Sequence, residues 1–298
     1  MEFPEDNRFT PERWALGKAL FYNKALSVDS SISCASCHKL DLAFADSLPT
    51  SPGVRQRAGV RNAPSLANVG YHPYLTREGG VPSLEMQALV PIQEHNEFDF
   101  NILSITERLK EDVDLVEMSQ AAYDRDLDYF VLVRALATFQ RSLISGNSAY
   151  DRYHFQGQSD AMSSSQLRGM ELFNSDRTNC SKCHGGFNFT NYAFENNGLY
   201  NVYNDEGRKR LTNLNSDLAR FKVPSLRNVE VTSPYMHDGA VSNLAEVIEH
   251  YDSGGFDHTN KSHLIKPLNL TKLEKADLLE FLNALTDHEF ITNSKFRE

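Results

Sequence analysis

The sequence predicts a mostly α fold built twice over, with long loops and few short strands. Three observations carry that expectation. All four cysteines fall in two runs, "SISCASCHKL" (31–40) and "TNCSKCHGGF" (178–187), each spelling Cys-x-x-Cys-His. The flanks of the two runs echo each other: "GKALF" (Gly17–Phe21) precedes the first and "GMELF" (Gly169–Phe173) the second. Downstream, "PSLANV" (Pro64–Val69) with Pro73, Tyr74, Gly79 and Leu84 is answered by "PSLRNV" (Pro224–Val229) with Pro234, Tyr235, Gly239 and Leu244. Finally, apolar residues recur at helical spacing, and long alternating runs of the kind that build sheets are missing.

The elements follow in chain order. Residues 104–123, "SITERLKEDVDLVEMSQAAY", read as a helical region. Val131, Leu132, Ala135, Leu136 and Phe139 form one face of the next helix, and the stretch behind it turns polar and Ser-rich, which places a domain boundary near residue 158. Two domains result, 1–158 and 159–298, as a chain of 298 residues favours. "FENNGLYNVYND" (194–205) reads as a short hairpin. Thr271 with Glu274 has the pattern of a capping box, opening a C-terminal helix whose apolar face carries Leu273, Leu278, Leu279, Leu282 and Leu285.

Composition narrows the partners. Hydrophobic residues make up 40% and charged residues 23%, an ordinary globular balance, and no apolar run approaches the ~20 residues that cross a bilayer. Thirty basic against 40 acidic residues give a formal charge of −10, which disfavours nucleic acid and suits cationic partners such as small basic electron carriers. The N-terminus lacks the basic and apolar regions of a secretory signal, so an exported protein would have lost its signal before this numbering begins.

The cysteines have three common uses. Structural zinc needs four soft ligands, usually two pairs ~15–20 residues apart, whereas Cys34 and Cys180 lie in different halves of the chain. A thioredoxin-like pair follows a strand and leaves the adjacent His without a role. Covalent c-type haem attachment uses all three positions: two thiols add to the vinyl groups and the His ligates iron. The reading is therefore two cytochrome c-like domains, each holding one c-type haem. Such attachment places the chain outside the cytoplasm, in a bacterial periplasm.

With these motifs in place the chain resembles the bacterial di-haem cytochrome c peroxidase family, MauG included. The resemblance spans about Leu16 to Leu285 through "LGKALFYNKALSVDSSISCASCH", "RNAPSLANVGYHPYL", "SLEMQALVPIQEHNE", "ALATFQRSLISGNSAYDRY", "FKVPSLRNV", "PYMHDGAVSNLAEVIEHY" and "LTKLEKADLLEFLNAL". It implies that Cys34, Cys37 and His38 hold a peroxidatic haem, and that Cys180, Cys183 and His184 hold an electron-transfer haem. It implies Gln87 and Glu97 as distal residues. A carboxylate over an open iron can take a proton from one peroxide oxygen and give it to the other. Glu94 and Glu85 compete with Glu97 on sequence alone. A calcium site is implied too, with Asn62, Thr232 and Pro234 at the matching positions, since amide and carbonyl oxygens suit a hard cation. Without calcium, Asn62 reads as a turn cap before Pro64.

Three departures from the family pattern matter. The loop "SLPTSPGVRQRAGV" (47–60) has neither His nor Met, so the His that closes the resting peroxidatic haem in classical members is missing and the first haem is expected open; His72, just beyond, reads as a surface or turn residue. The sixth ligand of the second haem aligns with Tyr251, as in MauG, where classical peroxidases use Met; Met236 and His250 are the rivals. A phenolate favours ferric iron and lowers the potential. Where the family has an inter-haem Trp, this chain has Arg77, followed by Glu78, and its sole tryptophan is Trp14. An indole can be transiently oxidised and a guanidinium cannot, so Arg77 is read as a partner for a haem propionate and Tyr74 as a substitute relay.

The leading function is a periplasmic peroxidase that reduces hydrogen peroxide at the N-terminal haem with electrons relayed through the C-terminal haem from a cytochrome c or cupredoxin. The alternatives are a MauG-like enzyme that oxidatively modifies a partner protein, and a non-catalytic di-haem carrier or redox sensor. The last predicts a ligand on both faces of the first iron. A homodimer is the state the family implies.

Overall fold

In the computed structural model, which describes residues 3–298, the chain divides into two compact units. The first comprises the chain through Leu75, Val81–Ile144 and Ile291–Glu298; the second comprises Thr76–Gly80 and Ser145–Phe290. Among the described residues helices dominate and only two short strands pair.

Seven helices form the first unit: α1 (Pro11–Tyr22), α2 (Cys34–Cys37), α3 (Leu84–Gln87), α4 (Leu89–Gln93), α5 (Ile102–Leu109), α6 (Val113–Tyr123) and α7 (Tyr129–Arg141). Thr10 caps α1 by accepting from the Arg13 amide, and Pro11 supplies the first turn with a fixed φ and no orphaned N–H. Val131, Leu132, Ala135, Leu136 and Phe139 of α7 are all buried, as their spacing predicted. A Cβ on Gly17 would lie 2.0 Å from the Ala135 carbonyl oxygen, so α1 meets α7 backbone to backbone. One turn on, Phe21 packs on Phe139 with ring centroids 5.0 Å apart. The helical region 104–123 is two helices rather than one, because the Asp112 side chain accepts from the Asp114 and Leu115 amides and starts α6 afresh.

The second unit repeats this construction. Its helices are α8 (Ala149–His154), α9 (Ser164–Phe173), α10 (Cys180–Cys183), α11 (Lys209–Thr212), α12 (Leu244–Ser253), α13 (Lys272–Asn283) and the first three residues of α14 (His288–Thr292), whose last two belong to the first unit. A Cβ on Gly169 would lie 1.9 Å from the Asp277 carbonyl oxygen, and Phe173 packs on Phe281 at 5.1 Å. The "GKALF" and "GMELF" echoes thus mark one structural device used twice: a glycine that lets two helices touch and a phenylalanine that fills the space beyond. α13 opens with the Thr271–Glu274 capping box in both directions.

Two sequence expectations shift. The chain leaves the first unit at Ile144, well before residue 158, because α8 belongs to the second core. Tyr150 packs edge-on to Phe189 at 4.8 Å, and buried Asp151 accepts two 2.8 Å bonds from buried Arg227. The segment 194–205 does not fold back as a hairpin: β1 (Phe194–Glu195) pairs antiparallel with β2 (Phe221–Lys222). Its polar groups close a local turn instead, with Gly198 N donating to Asn196 Oδ1 (2.8 Å) and Leu199 N to Tyr203 Oη (2.8 Å).

Candidate functional site

Each Cys-x-x-Cys-His folds as one helical turn with the His at its C-terminal end. Ser33 and Ser36 close a capping box around α2, which explains why so short a helix holds. The His38 Nδ1 lies 2.7 Å from the Phe44 carbonyl oxygen, and the His184 Nδ1 lies 3.1 Å from that of Phe189. Phe44 and Phe189 both take a left-handed backbone (φ 60° and 49°), turning those carbonyls inward. A carbonyl can only accept, so Nδ1 carries the proton and Nε2 presents its lone pair. Burial pushes the pKa of both imidazoles down, which keeps them neutral and fit to ligate a metal.

The residues present fit a covalently held haem. All four cysteines are free thiols and only half-buried, although free cysteine is among the most buried residue types. Burial nevertheless pushes Cys34 up to about 12 and Cys183 up to about 11. Two part-exposed thiols followed by a neutral, oriented imidazole form the donor set that c-type haem requires. Among the described residues no group of three or more His, Cys, Asp or Glu gathers as a metal ligand set, in contrast to the zinc alternative.

Around the first motif, the residues expected from the sequence to be distal have distinct surroundings. Glu97 keeps open surface, yet its carboxyl is pushed up to about 7, first by burial and then by the neighbouring Glu94 charge. Its charge in turn raises both Cys34 and Cys37, so it stands within electrostatic reach of the haem-attaching thiols. The competitor Glu85 is engaged elsewhere: burial works upward on it, but Arg141 (2.5 and 2.8 Å) and Asn7 (3.0 Å) hold it below the ordinary carboxylate range. Glu94 is exposed. Gln87, at the end of α3, has a buried side-chain oxygen with no protein partner, which is what a residue awaiting a bound group shows.

Around the second motif, burial pushes the Tyr251 hydroxyl up to about 12, and Cys180 and Cys183 add to the shift. Tyr251 therefore lies within electrostatic reach of the second pair of thiols, and its hydroxyl bonds the Asn197 side chain. Its two rivals share that partner: the Met236 sulfur accepts from Asn197 Nδ2 at 3.2 Å, and His250 Nε2 lies 3.0 Å from the Asn197 carbonyl oxygen. Arg77 lies in the second unit with its carbonyl accepting from Lys222 N at 2.7 Å. Glu78 is buried and paired with Arg210. Burial and then the Arg77 charge pull Lys222 down to about 8, so Arg77 and Lys222 make a local positive field suited to a carboxylate. Of the calcium positions, Asn62 is buried in the first unit and donates to the Leu48 carbonyl at 3.2 Å, while Thr232 donates to that of Val229 at 3.2 Å and Pro234 is buried in the second.

Comparison with known proteins gives the family. The family model described as "Di-haem cytochrome c peroxidase" matches residues 11–160. Similarity then runs through nearly the whole chain to the methylamine utilization protein MauG of Methylorubrum extorquens, 35% identical over 95% of this chain and 80% of that protein. The chain belongs to the di-haem cytochrome c peroxidase family. Another relative is the cytochrome-c peroxidase IdrP1 of a Pseudomonas species (strain SCT), 34% identical over 96% of this chain and 84% of that protein. A crystal structure of a MauG-like protein associated with microbial copper homeostasis superposes with a TM-score of 0.95 at 33% identity, covering 99% of this chain and 95% of that one. Membership makes this chain a haem peroxidase-type oxidoreductase with two haems.

Three residues at these sites escape a reading of the sequence. Asn197, which bonds Tyr251, Met236 and His250 alike, sits in a polar run without a motif of its own. Lys222 looks like any strand lysine until the fold sets Arg77 beside it. Arg57, in the loop 47–60, appears as one of many surface cations; its partners His95 and Asp99 lie 38 and 42 residues away.

Proposed function

We propose that this chain is an exported, peroxide-dependent enzyme of the MauG type, which delivers oxidising equivalents from hydrogen peroxide to a side chain of a partner protein. The observation that carries the reading is a tyrosine, Tyr251, within electrostatic reach of Cys180 and Cys183, the one candidate ligand in whose environment these thiols figure. Cys34, Cys37 and His38 would hold one haem, and Cys180, Cys183, His184 and Tyr251 the other. When bound, the haems supply an iron at which the peroxide O–O bond is cleaved and a second one-electron centre. The chain's own part is proton handling and orientation. Glu97, poised near neutrality, takes the proton from one peroxide oxygen and returns it to the other as water leaves, and the Gln87 amide orients the peroxide. Each peroxide takes up two electrons and two protons, both drawn from the partner and solvent. Arg77 and Lys222 provide the positive field for a propionate.

The association of one relative with copper homeostasis makes a copper-handling protein the first partner to test. A second reading, peroxide reduction with electrons from a soluble cytochrome c or cupredoxin, is supported by the relative named as a cytochrome-c peroxidase. Calcium at Asn62, Thr232 and Pro234, a periplasmic location and a homodimer are proposed on the family resemblance.

Optical and EPR spectra of the as-isolated ferric holoenzyme, before and after peroxide, test the proposal. One high-spin and one low-spin centre, both responding to peroxide without prior reduction, support it. Two low-spin centres that ignore peroxide would leave a carrier or sensor.

A further inference from the structure

The loop 52–58 carries no ligand and no acid or base, yet it is built onto the turn that bears Glu97. Val54 N donates to the Glu97 carbonyl at 2.9 Å. A Cβ on Gly53 would lie 1.9 Å from the Asn96 carbonyl oxygen and 2.8 Å from the Glu97 Cα; its φ of −85° suits any residue, so glycine is needed here for space alone. The Arg57 guanidinium bonds Asp99 at 2.6 Å and the His95 ring at 2.7 Å, one on either side of Glu97 in sequence. Gly53 N donates to the Arg57 carbonyl at 2.8 Å and closes the loop on itself. From the other direction, Val28 N holds the Phe98 carbonyl at 3.0 Å.

The loop also stores strain. Arg55 and Gln56 both take left-handed backbones (φ 56° and 59°), which costs non-glycine residues on the order of 1–3 kcal/mol each and persists only where the surroundings fix them. Among the described residues no side chain bonds the Glu97 carboxylate, so its place depends on the backbone that carries it.

We propose that the loop 52–58 is a fixed brace for the acid–base group, with Arg57 and Gly53 as positioning residues for proton transfer at the first site. In this chain the segment that lacks a closing His is committed to holding Glu97 still. The inference rests on the acid–base role given to Glu97 above. A displacement of about 1 Å at such a group can cost ~100-fold in rate, so a brace leaves a large kinetic signature.

The test is a double-mutant cycle on the ferric holoenzyme, read by stopped-flow association of cyanide, which must shed a proton on binding but turns nothing over, and by the peroxide reaction. Arg57→Gln is expected to slow both about tenfold or more, and Arg57→Lys to restore most of the loss. In a Glu97→Gln background Arg57→Gln should add less than a twofold effect, because the braced group is already gone. Asp99→Asn, at a half-exposed side chain, and Gly53→Ala probe the same brace should Arg57→Gln fold poorly. Equal slowing in both backgrounds, or none in either, overturns the brace while Glu97 keeps its role. If Glu97→Gln alone changes neither rate, the acid–base assignment falls and the brace with it.

Discussion

Glu97 should impose its own titration on the peroxide reaction. Its carboxyl sits near 7 rather than the ordinary 4.5, because burial by its neighbours strips water from the charged form and Glu94 adds like charge. The form that accepts the peroxide proton is the carboxylate, so the second-order rate constant should rise with pH. About 1% of Glu97 is ionised at pH 5 and about half at pH 7; the rate should therefore climb roughly fifty-fold over that interval and level off about twofold higher above pH 8. Glu97→Gln removes the base, flattens the profile and lowers the plateau by roughly 10²–10⁴-fold. Glu94→Gln removes only the like charge and shifts the midpoint to lower pH. Stopped-flow spectroscopy of the as-isolated enzyme from pH 5 to 9 measures all three. A flat wild-type profile, or one that Glu97→Gln leaves in place, refutes the assignment.

Tyr251→Phe should replace the low-spin EPR signal of the second centre with a new species and raise its midpoint potential, and an unchanged spectrum would remove Tyr251 as ligand. Gly169→Ala forces a methyl to within 1.9 Å of the Asp277 carbonyl oxygen; α9 and α13 must part, at a cost of roughly 1–3 kcal/mol, seen as a lower Tm by circular dichroism. Asp151→Asn leaves Arg227 buried without its counter-charge, and the loss of roughly 3–5 kcal/mol should appear in chemical denaturation, whereas a loss below about 1 kcal/mol would mean the pair is hydrated.

Much of the site was legible because covalent chemistry leaves marks that do not depend on folding. Cys-x-x-Cys-His names its own haem ligands, and the glycine–phenylalanine echo on either side names the duplicated helix pair before any coordinates exist. α7 and α13 were also readable, from a buried face at helical spacing and from the Thr271–Glu274 cap. The boundary near residue 158 and the hairpin at 194–205 were misplaced for one reason: composition reports local polarity, whereas Asp151, Tyr150 and Phe194 find their partners far along the chain at Arg227, Phe189 and Lys222.

The sequence by itself determined the two haem-binding motifs, the helical repeat and the short set of carboxylates from which an acid–base group could come, since residue type and spacing suffice for these. Only the tertiary structure set their surroundings. It tied Glu85 to Arg141, left Glu97 raised to about 7 within electrostatic reach of Cys34 and Cys37, and drew Tyr251, Met236 and His250 together on Asn197. Desolvation and long-range pairing are properties of the packed chain, and they set the protonation and partners of each candidate side chain.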